Sequence, residues 1–99
     1  MAELSVDLVA ADRKVWSGSA RQVSAPSVDG QVGIMPGHTP LLAVMRAGTV
    51  SVSTGDGVAF EAHVSGGFVS VDDNLVTVVA DDITPLADPG MDFGYGQGR

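Results

Sequence analysis

Gly33-Ile-Met-Pro-Gly-His-Thr-Pro-Leu-Leu42 places two glycines and two prolines within ten residues, between one apolar run ending at Ile34 and another starting at Leu41. Proline fixes φ and removes a backbone donor, while glycine opens conformations closed to other residues. The stretch therefore reads as an irregular, rigid turn joining two extended segments. A second constrained point follows in Val64-Ser-Gly-Gly-Phe68. Gly66-Gly67 there reads as a bend or bulge between strands at a tight packing point.

Around these turns the sequence alternates with a period of two. Leu4, Val6 and Leu8 share a face opposite Ser5 and Asp7, and Val50 and Val52 are separated by Ser51. Val58, Phe60, Ala62 and Val64 oppose Glu61 and His63. This is the pattern of half-buried strands, and valine, the commonest residue, favours them. Turn signals at Ser17-Gly18, Asp29-Gly30, Ala47-Gly48, Gly55-Asp56-Gly57 and Asp72-Asp73-Asn74 recur at the roughly 8–12-residue spacing of a sandwich or barrel. Strands are expected near residues 4–10, 14–17, 20–26, 31–34, 41–46, 49–54, 58–64, 68–71 and 75–80. Leu75–Ala80, almost continuously apolar, is expected to be covered on both faces.

The expected fold is all-β, a flattened β-sandwich of two mostly antiparallel sheets with about nine to ten strands. Residues 1–82 form the sandwich and 83–99 an acidic, Gly/Pro-rich mobile tail. In that tail Gly90, Gly94, Gly96 and Gly98 raise the entropy cost of ordering, and Pro85 and Pro89 oppose a helix.

Charge and composition restrict the chemistry. Twelve acids against five bases give a net charge of −7, the wrong sign for phosphate backbones or anionic lipid. Without cysteine there is no disulfide, thiol nucleophile or thiolate metal site. The N-terminus lacks the basic and apolar regions of a secretory signal, and no apolar run approaches the ~20 residues of a membrane helix. His38 and His63 stand twenty-five residues apart, too few and too distant for a zinc set. Asp72-Asp73 and Asp81-Asp82 point to opposite faces of an extended chain, and a hairpin turn is the better reading of Asp72-Asp73-Asn74 than a calcium contact. Gly66-Gly67 has no Gly-Lys-Ser/Thr element after it, and Ser65 lacks a hydrolase elbow. No catalytic residue, metal or cofactor is expected.

The order and spacing of several short elements supply what the chemistry does not. These are Val15-Trp-Ser-Gly18, Asp29-Gly-Gln-Val-Gly-Ile34, Pro36-Gly-His-Thr-Pro-Leu-Leu42, Arg46-Ala-Gly48, Ser65-Gly-Gly67 and Leu75-Val-Thr-Val-Val-Ala-Asp81. Together they resemble the N-terminal β-sandwich of the epsilon subunit of the F-type rotary ATP synthase, over about Leu4 to Ala80.

The resemblance implies a non-catalytic central-stalk (rotor) subunit that couples proton flow to ATP synthesis. Its implied partners are the gamma subunit and the membrane c-ring, with alpha and beta touched only indirectly. It would sit peripherally at the cytoplasmic face of a bacterial plasma membrane, held there through protein partners, with no homo-oligomer. The family's ring-facing loop maps onto Asp29, Gly30, Gln31 and Val32, with Arg46 at a neighbouring turn. Many relatives carry an acid where this chain has Gln31, so a neutral hydrogen bond would replace a charge-assisted one. The gamma-facing surface maps onto Pro36, Gly37, His38, Thr39, Pro40 and Leu42. Leu41 and Leu42 occupy opposite strand faces, so one is expected in the core and the other at an interface. The family's C-terminal helical hairpin and its Asp-x-x-Arg-Ala stretch have no counterpart in Asp81–Arg99, so nucleotide binding and inhibition by helix insertion are not expected. The alternatives are a stand-alone sandwich module for a ligand or peptide, which requires a concave pocket with converging polar groups, and a small β enzyme.

Overall fold

The computed structural model describes residues 3–86. They form ten strands in chain order and, among the described residues, no helix. These are β1 (Leu4–Ala10), β2 (Arg13–Ala20), β3 (Gln22–Ser27), β4 (Gly30–Ile34), β5 (Leu41–Met45), β6 (Gly48–Thr54), β7 (Gly57–Val64), β8 (Gly67–Asp72), β9 (Leu75–Ala80) and β10 (Ile83–Pro85). Hydrogen bonds join them in the order β10-β7-β6-β3-β5-β8-β9-β1-β2, with β4 added on β3. The pairing is antiparallel except between β1 and β9, where Ser5 to Ala10 run alongside Leu75 to Ala80.

The path divides into two layers at a single pair, Ser27 opposite Met45, where β3 hands over to β5. The inner faces then meet. Val23, Val50, Val52, Ala62 and Val64 from one layer pack with Leu4, Val6, Leu8, Val69, Val71, Val76 and Val78 from the other, all essentially inaccessible to solvent. At the far seam Trp16 of β2 stacks on Phe60 of β7, ring centroids 5.6 Å apart and 17° between planes. The all-β sandwich expected from the alternation is the observed architecture, and the aromatic stack closes it.

Three local features depart from the sequence reading. Ile83–Pro85, assigned to the tail, adds to the edge of β7 with Ile83 opposite Val64 and buried. The rest of the expected tail, from residue 87, lies outside the described residues. Leu75–Ala80 is covered on one face only: Val76, Val78 and Ala80 are buried, whereas Leu75 and Val79 are exposed. Val58 is exposed rather than aligned with Ala62 and Val64, because a register shift pairs Val52 with Phe60 but Ser53 with Val58. That bulge re-aims the residue beyond it.

Glycine does the expected work at Gly67. Its φ is +127°, and a Cβ there would lie 2.0 Å from the Val79 carbonyl oxygen. No side chain fits that approach between β8 and β9. At the other end of the same strand pair, Asp73 and Asn74 adopt φ of 51° and 65°. They make a two-residue hairpin turn with both central residues left-handed, which suits these two residue types.

Candidate interaction surfaces

The expected gamma-facing residues form the connection between β4 and β5. The His38 amide donates to the Met35 carbonyl at 3.0 Å, and His38 Nδ1–H donates to the Thr39 carbonyl at 2.6 Å. Gly37, at φ +88°, donates its amide to Asn74 Oδ1 at 2.8 Å. The connection is thereby tied to the β8–β9 hairpin, whose Asn74 carbonyl in turn accepts from the Ser5 amide. Gly37, His38, Thr39 and Pro40 line an open cleft with Asp72, Asp73 and Asn74. The two leucines divide as alternation requires: Leu41 packs against the core and Leu42 is 72% exposed.

The expected ring-facing residues lie at the other end of β5. Ser27 and Gly30 pair across the β3–β4 hairpin. Arg46, which follows β5, donates its amide to the Pro26 carbonyl and its Nε to the Ser27 carbonyl at 3.2 Å. Asp29, Gly30 and Arg46 are therefore brought together. Gln31 and Val32 follow on β4 and divide: Gln31 is exposed on the outer face, where its Nε2 donates to Ser24 Oγ at 2.6 Å, and Val32 packs against the core.

Between the two ends lies a feature the sequence reading missed. Val44, Phe68 and Val79 are in register across β5, β8 and β9, and all three point outward. Phe68 alone is 52% exposed. With Leu42 two residues along β5, they make an apolar row on the outside of a sheet, where alternation calls for polar side chains. The only signal in the sequence is the excess of apolar residues at both parities of Leu75–Ala80, and its meaning depends on the register.

Among the described residues no three His, Cys, Asp or Glu side chains converge as a metal site. His63 is exposed on β7, opposite Thr49 and Thr84. Nor is any helix there long and apolar enough to cross a membrane.

Residues 3–86 match the family described as the ATP synthase delta/epsilon chain β-sandwich domain. The chain belongs to that family. It is 52% identical over 87 residues to the ATP synthase epsilon chain of Streptomyces avermitilis, covering 88% of this chain and 69% of that one. Against the ATP synthase epsilon chain of Micrococcus luteus it is 51% identical over 80 residues, covering 81% of this chain and 88% of that one. The fold also matches solved structures. A chain of the Euglena gracilis mitochondrial ATP synthase superposes with a TM-score of 0.80 at 21% identity, over 96% of this chain and 59% of that one. One from the central stalk and c-ring of the Tetrahymena thermophila enzyme gives 0.70 at 17% identity, over 99% and 78%.

Proposed function

We propose that this chain is the epsilon-type, non-catalytic subunit of an F-type ATP synthase central stalk. It links the gamma subunit to the membrane c-ring and couples proton flow to ATP synthesis carried out elsewhere in the complex. The observation that carries this reading is the family match over residues 3–86, with about half of the aligned residues identical to chains known as ATP synthase epsilon. The geometry supports it through two separate, braced surfaces at opposite ends of β5 and an uncovered apolar row between them. In this reading gamma docks on the Pro36–Pro40 connection, Leu42 and the Val44–Phe68–Val79 row, and the ring meets the Asp29–Gly30 turn beside Arg46. An exposed row of aromatic and aliphatic side chains suits a protein interface, in which such anchors, once buried, dominate the affinity. The complex would lie at the cytoplasmic face of a bacterial membrane, with this subunit held there by its partners.

The test mixes the purified chain with the gamma subunit of the same source and measures mass by light scattering on size-exclusion chromatography. The expected result is a one-to-one complex that Leu42→Asp abolishes and His63→Ala leaves intact. A chain that stays monomeric beside folded gamma refutes the reading.

A further inference from the structure

Asp-Gly occurs twice in the chain, at Asp29-Gly30 and Asp56-Gly57, and both pairs sit in hairpin turns of the same construction. In Ser27-Val28-Asp29-Gly30 the Ser27 hydroxyl donates to the Gly30 carbonyl at 2.6 Å and accepts the Asp29 amide at 3.1 Å. In Thr54-Gly55-Asp56-Gly57 the Thr54 hydroxyl donates to the Gly57 carbonyl at 3.3 Å and accepts the Asp56 amide at 3.2 Å. Gly30 and Gly57 share a positive φ, +126° and +122°.

What stands behind each turn differs. The β3–β4 register is unbroken from Val23–Ile34 to Ser27–Gly30, and Ser27 is only 3% exposed. The Val44 carbonyl also accepts the Val28 amide at 3.0 Å, and Arg46 Nε donates to the Ser27 carbonyl at 3.2 Å. The β6–β7 tip instead stands beyond the bulge, where Ser53–Val58 and Thr54–Gly57 are the strand pairs left between the break and the turn. Gly55, Asp56, Gly57 and Val58 are all exposed. A short end cut off by a bulge opens more readily than a continuous ladder tied to a third strand.

An opened Asp-Gly turn has its own chemistry. The glycine amide nitrogen attacks the aspartate Cγ, a C–N bond forms, and a carboxyl oxygen leaves as water, closing a succinimide ring. Glycine puts no side chain in the way, and a Cβ built at Gly57 meets nothing within 4 Å. Water then adds to one of the imide carbonyls. Opening at the main-chain carbonyl routes the peptide bond through Cγ and leaves a free α-carboxylate, an isoaspartyl residue. Water leaves once and enters once, so no other reactant is required. We propose that Asp56–Gly57 is a site of spontaneous isoaspartate formation in the folded chain, and that the bracing of Asp29–Gly30 protects the matching pair. The product is the kind of substrate taken by a methyltransferase that esterifies an isoaspartyl α-carboxylate from S-adenosylmethionine.

The test incubates the purified full chain at neutral pH, digests it, and locates isoaspartate by its diagnostic fragments in electron-transfer mass spectrometry. In the folded chain Asp56 is expected to convert about tenfold or more faster than Asp29, the effect of the two additional hydrogen bonds on the population of the open turn. In urea, where neither turn is held, the two rates are expected to converge. Asp56→Glu, whose longer side chain closes a ring far more slowly, is expected to remove the signal at that position. Arg46→Ala, which releases one brace, is expected to raise the rate at Asp29 and leave that at Asp56 unchanged. Equal rates at the two sites in the folded chain, a faster Asp29, or no conversion at Asp56 while the urea-unfolded chain converts would each overturn the proposal.

Discussion

Replacing Gly67 by alanine places one methyl group where the backbone of β9 already runs. The added carbon would lie 2.0 Å from the Val79 carbonyl oxygen and 2.9 Å from both the Val79 carbonyl carbon and Ala80 Cα. Carbon contacts are comfortable at about 3.5–4.0 Å, so β8 and β9 must separate locally by more than about 1 Å. Each ladder hydrogen bond broken by that separation costs about 1 kcal/mol. The φ of +127° adds strain of about 1–3 kcal/mol for a residue with a Cβ. A total of about 4 kcal/mol or more follows, against a stability of roughly 5–12 kcal/mol for a domain this size.

Two other glycines separate strain from overlap. Gly57 has nearly the same φ, +122°, with nothing within 4 Å of its added Cβ. Gly66, at +120°, would bring its Cβ to 3.4 Å from the Met45 carbonyl oxygen, an ordinary contact. Alanine at either should cost about 1–2 kcal/mol, partly offset by the stiffer unfolded chain. Urea unfolding followed by Trp16 fluorescence and far-ultraviolet circular dichroism measures all three. With a slope of about 1 kcal/mol per molar, Gly57→Ala and Gly66→Ala move the midpoint by about 1–2 M, while Gly67→Ala removes most of the transition. Equal midpoints for Gly67→Ala and Gly57→Ala would refute the close approach as the reason for glycine at this position.

Gly18→Ala would put a Cβ 2.8 Å from Trp16 Cη2. It should therefore tilt the indole off Phe60, cost about 1 kcal/mol and change the emission of the only tryptophan. Leu8→Ala, at a fully buried position, should lower the unfolding free energy by about 2–5 kcal/mol, read from the same urea curves. Phe68→Ala should leave stability within about 0.5–1 kcal/mol, because the ring is half exposed, yet weaken the gamma complex by about tenfold or more in a titration.

The strand content was legible because a half-buried sheet writes itself as alternation, and nine of the ten strands lie where residues 4–80 alternate. Ile83–Pro85 was not legible: three residues after a pair of aspartates carry too little pattern, and only Ile83 among them is buried. Leu75–Ala80 misled for a different reason. A continuous apolar run states that both faces avoid water without saying whether its own chain or another covers the second face. Val58 was misplaced by a bulge, and a bulge shifts parity without leaving a mark in composition. At the candidate surfaces, the turn residues were legible one by one. What joins them was not. The Gly37–Asn74 and Arg46–Ser27 contacts span 37 and 19 residues, and the row Val44–Phe68–Val79 exists only once the registers of β5, β8 and β9 are set.

The placement of β5 ties these parts together. Five residues, Leu41 to Met45, carry the chain about 14 Å from the connection anchored on Asn74 to the turn anchored by Arg46. β5 pairs along its whole length with β8, and its last residue meets β3 at the corner between layers. A load applied at one end is thus carried by a hydrogen-bonded ladder backed by a close-packed core, which yields little under shear. Its outer side chains, Leu42 and Val44, stay exposed for a partner along the same line. A subunit that passes force between two neighbours needs two adhesive ends and a stiff member between them, and it needs no reactive side chain at any point along it. In the proposed reading, the uncovered apolar row is the face along which gamma grips that member. An exposed valine or phenylalanine there has a reason that core packing does not supply.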